Sequence, residues 1–286
     1  MIERSDGAEL DLARRVVEAA RRLAGPAAQA EVFAHHGATA LTRFANSAIH
    51  QNVADATTTV RLRLHLDGRT SSGASTITDA AGLAALVERT VAAARVCPPD
   101  PGWPGLTVPA AAGAGGLFDE ATARATPDQR ADLVRDFVRA ADGLETAGYC
   151  RTTYSSAAFA NSAGQAVEGR TAEAAMDGIA RVDGADGVAR LATDRFADLD
   201  GAALGARAAA KARAGAQPVE LPPGHYEVVL EPDAVADILQ NLALFGFNGK
   251  AFAERRSFAE PGAAQFDPSV TIVDEPLAGP GGGALA

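Results

Sequence analysis

The residues from which a metal centre or a nucleophile could be built are few: five histidines, His35, His36, His50, His65 and His225, and two cysteines, Cys97 and Cys150. No two histidines stand four apart, the spacing that presents two imidazoles on one helical face. His35 and His36 are neighbours in a strand-like run, so their rings point to opposite faces. All five read as surface or turn histidines. The cysteines form neither a CxxC pair nor a spaced framework, and neither has a fixed cation beside it in sequence. Both read as small hydrophobes.

Other chemistry is equally sparse. There is no GxSxG elbow, although triad partners can lie far apart in a chain. Gly246-Phe247-Asn248-Gly249-Lys250 has too few residues between its glycines for a phosphate loop, and Ala251 stands where a magnesium-binding hydroxyl is needed. Gly113-Ala114-Gly115-Gly116 lacks the third glycine and preceding strand of a dinucleotide fingerprint. Both read as turns. The acidic pairs Asp119-Glu120 and Asp274-Glu275 fit helix capping or a charged loop better than acid-base work. The sequence therefore specifies no catalytic residue, no metal ligand and no substrate-binding residue of its own.

The elements around these positions are clearer. Residues 9–24 carry apolar positions on one face and arginines on the other, then Gly25-Pro26, the pattern of an amphipathic helix with its stop. Segments 30–34, 41–44 and 57–66 read as antiparallel strands, the last alternating up to the turn pair Asp67-Gly68. Thr78-Asp79 opens a helix with a stripe of Leu83, Leu86, Val87 and Val91. Closely spaced prolines make 97–109 an irregular connector, and Thr126-Pro127-Asp128 starts another helix.

Comparing the chain with itself is the most informative step. Phe44-Ala45-Asn46-Ser47 recurs as Phe159-Ala160-Asn161-Ser162. Each copy is followed by a polar stretch, a strand-like run, an Asp-Gly pair (67–68 and 183–184), a second small turn and an alanine-rich helix (79–96 and 198–214). The expected class is α+β: duplicated helix/antiparallel-strand units, about 30–96 and 145–214, forming a mixed sheet covered by helices within a domain of residues 1–217. Beyond Pro222-Pro223-Gly224, residues 226–232 read as a strand and Asp233 as the cap of a helix, the start of a mainly β domain over 218–286.

Composition limits the setting. At 286 residues and 47% hydrophobic, the chain can bury its own core without a disulfide or metal. A net charge of −10, with scattered cations, opposes attraction to nucleic acid phosphates. The polar opening residues Met1 to Asp6 and the absence of long apolar runs argue against secretion and membrane insertion, and the cysteine usage fits a reducing, cytoplasmic setting.

Residues 226–274 resemble the TldD/PmbA family, proteins linked to zinc-dependent peptidase activity and to modulation of DNA gyrase. The likeness lies in Tyr226-Glu227-Val228-Val229-Leu230-Glu231-Pro232, in 244–251, and in Ser257-Phe258 with Gln265-Phe266-Asp267-Pro268; Asn161-Ser162-Ala163-Gly164 is similar to the family's N-terminal domain. In the catalytic TldD branch, the helix after this strand carries a His-Glu, three residues, His signature that holds zinc and supplies the general base. The matching positions here are Gln240, Asn241 and Phe245. Gln240 is a weak ligand, Asn241 cannot take a proton, and Phe245 is expected to exclude water.

The resemblance thus implies the TldE/PmbA branch: a subunit that binds no cofactor itself and pairs with a zinc-bearing TldD-type protein around an unfolded peptide, with no nucleic acid or membrane partner. A stand-alone regulatory module, acting on gyrase or a toxin-antitoxin system, is the alternative. Family members continue past the last residue, so the C-terminal domain is expected to be incomplete.

Overall fold

The computed structural model describes residues 7–111 and 118–274. The opening residues 1–6, the glycine run 113–116 and Glu275 of the acidic pair lie outside them. The chain divides into two compact units at Ala216 and Gln217.

In the first unit, helix α1 (Ala8–Ala24) is followed by strands β1 (Gln29–Ala45), β2 (Ala48–Leu66) and β3 (Arg69–Ser75) and helix α2 (Ala80–Val96). After the proline-rich connector and the single turn α3 (Glu120–Ala123), the order repeats: α4 (Pro127–Ala140), β4 (Glu145–Asn161), β5 (Ala166–Val182), β6 (Ala185–Thr193) and α5 (Gly201–Gly215). The α+β class is as expected. The separate strands anticipated at 30–34 and 41–44 are one continuous strand, because β1 is paired along its length on both sides and Gly37 costs it no ladder bond.

Turn chemistry sets the hairpins. Asn46 and Ser47 (φ 49° and 58°), Asp67 and Gly68 (48° and 73°), and Asp183 and Gly184 (23° and 81°) occupy the left-handed region that two-residue hairpins require. The six strands form one sheet in the order β3-β2-β1-β4-β5-β6, and every pairing is antiparallel, not mixed. A mixed sheet would need a long crossover between neighbours; here each half is a meander, and the two halves join through their first strands. Phe33 faces Phe159 and Phe44 faces Gly148 across that junction.

Even-numbered residues of the central strands face the helices. Val32, Val60, Leu62 and Leu64 pack with Leu12 and Val16 of α1 and with Leu86 and Val91 of α2. Phe44, Cys150 and Met176 pack with Val134 and Phe137 of α4 and with Leu204 and Ala208 of α5. Burying each such large side chain stabilises by about 1.5–3 kcal/mol. Caps fix the helix starts: Asp79 Oδ1 accepts from Gly82 N–H at 2.7 Å, and Thr126 and Gln129 form a reciprocal capping box. Within the first unit the described helices pack on this face, and the odd-numbered residues of β1 and β4 lie on the opposite, open face.

The second unit contains α6 (Pro232–Asn241), a π turn (Leu242–Gly246) and α7 (Gly249–Ala253). No strand occurs in residues 217–274, so the mainly β start is not seen there. Residues 226–231 lie exposed, and a strand exists only through ladder bonds to a neighbour. The helix cap also differs: Glu231 occupies the N-cap and Pro232 the first turn, placing Asp233 inside the helix.

Candidate functional site

Three of the segments that carry the family likeness, 244–251, 257–258 and 265–268, fold onto one another in the second unit. Phe258 packs against Phe247 (ring centroids 5.7 Å) and Phe266 (6.2 Å, edge-on), and Ser257 Oγ donates to the Gly246 carbonyl. Gln265 closes the loop, donating to Phe258 O at 2.6 Å and accepting from Glu260 N–H at 2.9 Å. A Cβ on Gly246 would lie 2.3 Å from Phe258, so glycine is required where the π turn meets the ring.

This turn bears directly on the zinc signature. In an α-helix, residues five apart point about 140° away from each other, which separates the first and last ligands of a His-Glu-xxx-His run. The π turn is closed by Phe247 N–H to Leu242 C=O at 3.0 Å, an i→i+5 bond. A turn of that width moves positions 240 and 245 toward one side. Gln240 and Asn241 end the helix before this turn and Phe245 lies within it, and these side chains do not suit a metal. Asn241 spends its amide on the Asp237 carbonyl at 2.8 Å. Phe245 is 71% exposed, so it does not exclude water as expected; what it lacks is a donor atom. Zinc does not fit this donor set, and among the described residues no group of three His, Cys, Asp or Glu side chains could hold a metal.

The other sequence candidates are dispersed. His35 Nε2 lies 2.7 Å from Ser155 Oγ on the open face, while His36 is buried on the helix face with Nδ1 2.9 Å from Thr58 Oγ1. The two rings do oppose each other, but His36 is a core residue, not a surface one. His65 stacks on Trp103 at 5.0 Å; His50 and His225 are exposed. Cys150 is fully buried, and burial pushes its thiol up to about 12 despite the nearby Arg130 cation. Asp119 caps α3: bonds from the Thr122 hydroxyl and N–H hold its carboxyl below the usual range. Asn248 caps α7, so the Gly246–Lys250 run is a turn leading into a helix.

The open face supplies a groove that motif reading missed. It has a volume of about 470 Å³ and is lined by Phe33, Phe159, Arg61, Arg63, Glu31 and the β3 segment Ser72–Ala74. Trp103 of the proline-rich connector sits beside it, donating to Gln29 Oε1 at 2.7 Å beneath the Arg63 guanidinium. Arg63 pairs with Glu31, whereas Arg61 has no ion-pair partner among the described residues. The signal was present as an aromatic and two arginines at odd positions of alternating strands. An exposed phenyl row beside an unpaired guanidinium can hold an extended chain with apolar and acidic side chains.

The profile of the PmbA/TldA metallopeptidase domain 1 matches residues 30–94, and that of the PmbA/TldA metallopeptidase C-terminal domain matches residues 223–285. The chain belongs to the TldD/PmbA family. Three solved structures share the fold. A protein of Bacteroides thetaiotaomicron described as a candidate modulator of DNA gyrase has TM-score 0.75 and 17% identity, over 89% of this chain and 60% of that one. A second such candidate modulator, from Thermotoga maritima, has TM-score 0.64 and 14% identity, over 75% and 50%. TldE from Thermococcus kodakarensis has TM-score 0.61 and 14% identity, over 71% and 47%. The chain thus spans roughly half to three-fifths of these TldD/PmbA-type proteins. No curated protein sequence matches it. Among the described residues no helix is long and apolar enough to cross a membrane.

Proposed function

We propose that this chain acts as a non-catalytic subunit of a TldD/TldE-type zinc metallopeptidase. It pairs with a zinc-bearing TldD-type protein in the cytoplasm and helps to bind and enclose unfolded peptides for cleavage by that partner. One observation carries the reading: the positions of a His-Glu-xxx-His set are held by Gln240 and Asn241 at the end of α6 and by Phe245 in the π turn that follows, none of which suits a zinc site. The similarity to a TldE fold supports the assignment to the partner-dependent branch. The groove over Phe33, Phe159 and Arg61 is the surface that faces the peptide in this account.

The experiment is cleavage of an unstructured peptide by this chain alone, by a TldD-type subunit alone and by the mixture. The mixture is expected to cleave fastest, with no turnover by this chain alone. Zinc-dependent turnover by the isolated chain would overturn the reading. A second reading, modulation of gyrase without proteolysis, draws on the descriptions of the two candidate gyrase modulators. It predicts capture of gyrase by the chain and no effect on peptide turnover by a TldD-type protein.

A further inference from the structure

The open face of the first unit carries one straight row of side chains across five strands. The strand registers set Ala74 of β3 beside Arg61 of β2, Arg61 beside Phe33 of β1, Phe33 beside Phe159 of β4, and Phe159 beside Val167 of β5. The first four of these line the groove, which therefore runs across the strands and not along them. Its chemistry changes along its length, from a small residue to a guanidinium and then to two phenyl rings.

Neighbouring side chains hold this row in place. The Phe33 ring stacks on His35, with centroids 6.3 Å apart and planes 7° from parallel, and His35 Nε2 lies 2.7 Å from Ser155 Oγ. On the other side Arg63 is paired with Glu31 and lies over the Trp103 ring. The charge of Arg63 is thus already answered. Arg61 is exposed and has no ion-pair partner among the described residues, so it is the cation left for a ligand in the groove.

Neighbouring strands lie about 4.8 Å apart, which puts the midpoint between Phe33 and Phe159 about 7 Å from the Arg61 column. Residues i and i+2 of an extended chain point to the same side about 6.6 Å apart. The two spacings match. We infer that the groove selects an extended peptide in which an acidic side chain, paired with the Arg61 guanidinium, stands two residues from a large apolar side chain seated between Phe33 and Phe159. The selectivity rests on the proposed peptide-facing role of this groove and adds the class of peptide. The residue between the two points away from the sheet, so its identity is free. The net charge of −10 repels an acidic peptide at long range, so the preference arises from contact at Arg61 and is read as an affinity ratio.

The full chain reports its own binding, because Trp103, beside the groove, is its single tryptophan. Heptapeptides acetylated and amidated at their ends, Gly-Ser-Glu-Ser-Leu-Ser-Gly and its reverse, are titrated against Trp103 fluorescence and by calorimetry, beside versions with Gln in place of Glu. In at least one peptide direction the Glu version is expected to bind about two- to fivefold more tightly than the Gln version, the range of one exposed ion pair. Arg61→Gln should abolish that ratio with unchanged circular dichroism. Phe33→Ala should weaken both versions equally and keep it. Placing Leu directly next to Glu should weaken binding, because the two side chains then point to opposite sides. Equal affinities for Glu and Gln in both directions, a ratio that survives Arg61→Gln, or neither heat nor quenching with any peptide would overturn the selectivity. Cleavage by the mixture with a TldD-type subunit is read separately: turnover without the Glu preference sinks only the selectivity, and the preference without turnover sinks only the peptidase reading.

Discussion

Ser162 holds Ala30 from two sides: its N–H donates to the Ala30 carbonyl at 2.8 Å, and its hydroxyl accepts from the Ala30 N–H at 3.0 Å. Ser47 does the same to Thr146, with N–H to carbonyl at 3.0 Å and the Thr146 N–H to hydroxyl at 3.1 Å. Each serine therefore extends the ladder between β1 and β4 past the last strand residue, clamping the beginning of the other half's first strand. The repeated Asn-Ser pair is a fastening device between the halves.

Ser162→Ala should therefore destabilise the first unit by about 1–3 kcal/mol, because the buried Ala30 N–H loses its acceptor. Ser47→Ala should cost a similar amount. The clamps sit at opposite ends of the β1–β4 pair, so the double variant should show a nearly additive loss. Urea unfolding followed by circular dichroism measures both.

Gly205→Ala should be more damaging than either serine change. A Cβ there would lie 2.2 Å from the Phe137 carbonyl, and one on Gly201 2.1 Å from that of Leu133, so α5 approaches α4 through its glycines. Overpacking typically costs about 1–3 kcal/mol, and backbone cannot give way as a side chain can. A fall in thermal midpoint of several degrees is expected, whereas Gly215→Ala, with 3.4 Å of room, should be nearly silent.

The thiols should separate cleanly. Cys97 is partly exposed and Cys150 buried, so an alkylating reagent at neutral pH should modify one thiol in the folded chain and two after denaturation. The thiol pKa of Cys150, about 12 folded against 9.0 as the ordinary value, also fixes a sign. The unfolded chain releases that proton first, so stability is unaffected below pH 9 and falls as pH rises from 9 toward 12. The slope from this group is at most about 1.4 kcal/mol per pH unit. Cys150→Ala should remove that contribution, measured as midpoint against pH.

The π turn makes a prediction about metal. Gln240→His with Phe245→His should bind zinc about tenfold, or 1.4 kcal/mol, more tightly than Gln240→His with Leu244→His, because the wide turn favours i, i+5 over i, i+4. Titration calorimetry with zinc alone reads the difference. Equal affinities would mean that the turn does not bring 240 and 245 together.

Local chemistry made much of the fold readable. The Asp-Gly pairs, the Thr126-Pro127 cap and the arginine-backed stripe of 9–24 each fix an element through contacts within a few residues, and the sequence states them. Positions whose meaning depends on distant strands were harder. His36 became a core residue only because Thr58 of β2 and Tyr154 of β4 pack beside it, and Phe33 became part of a groove only because β1 and β4 pair in the register that sets it beside Phe159. Likewise Tyr226–Glu231 has the composition of a strand, but a ladder is a property of two segments, and no second one faces it among the described residues.

Metal content tests the central claim most directly. The chain, purified without chelator and dialysed against micromolar zinc, should contain well under one zinc per chain by inductively coupled plasma mass spectrometry, with the same thermal midpoint before and after chelation. One zinc per chain, lost together with several degrees of midpoint on chelation, would contradict the account.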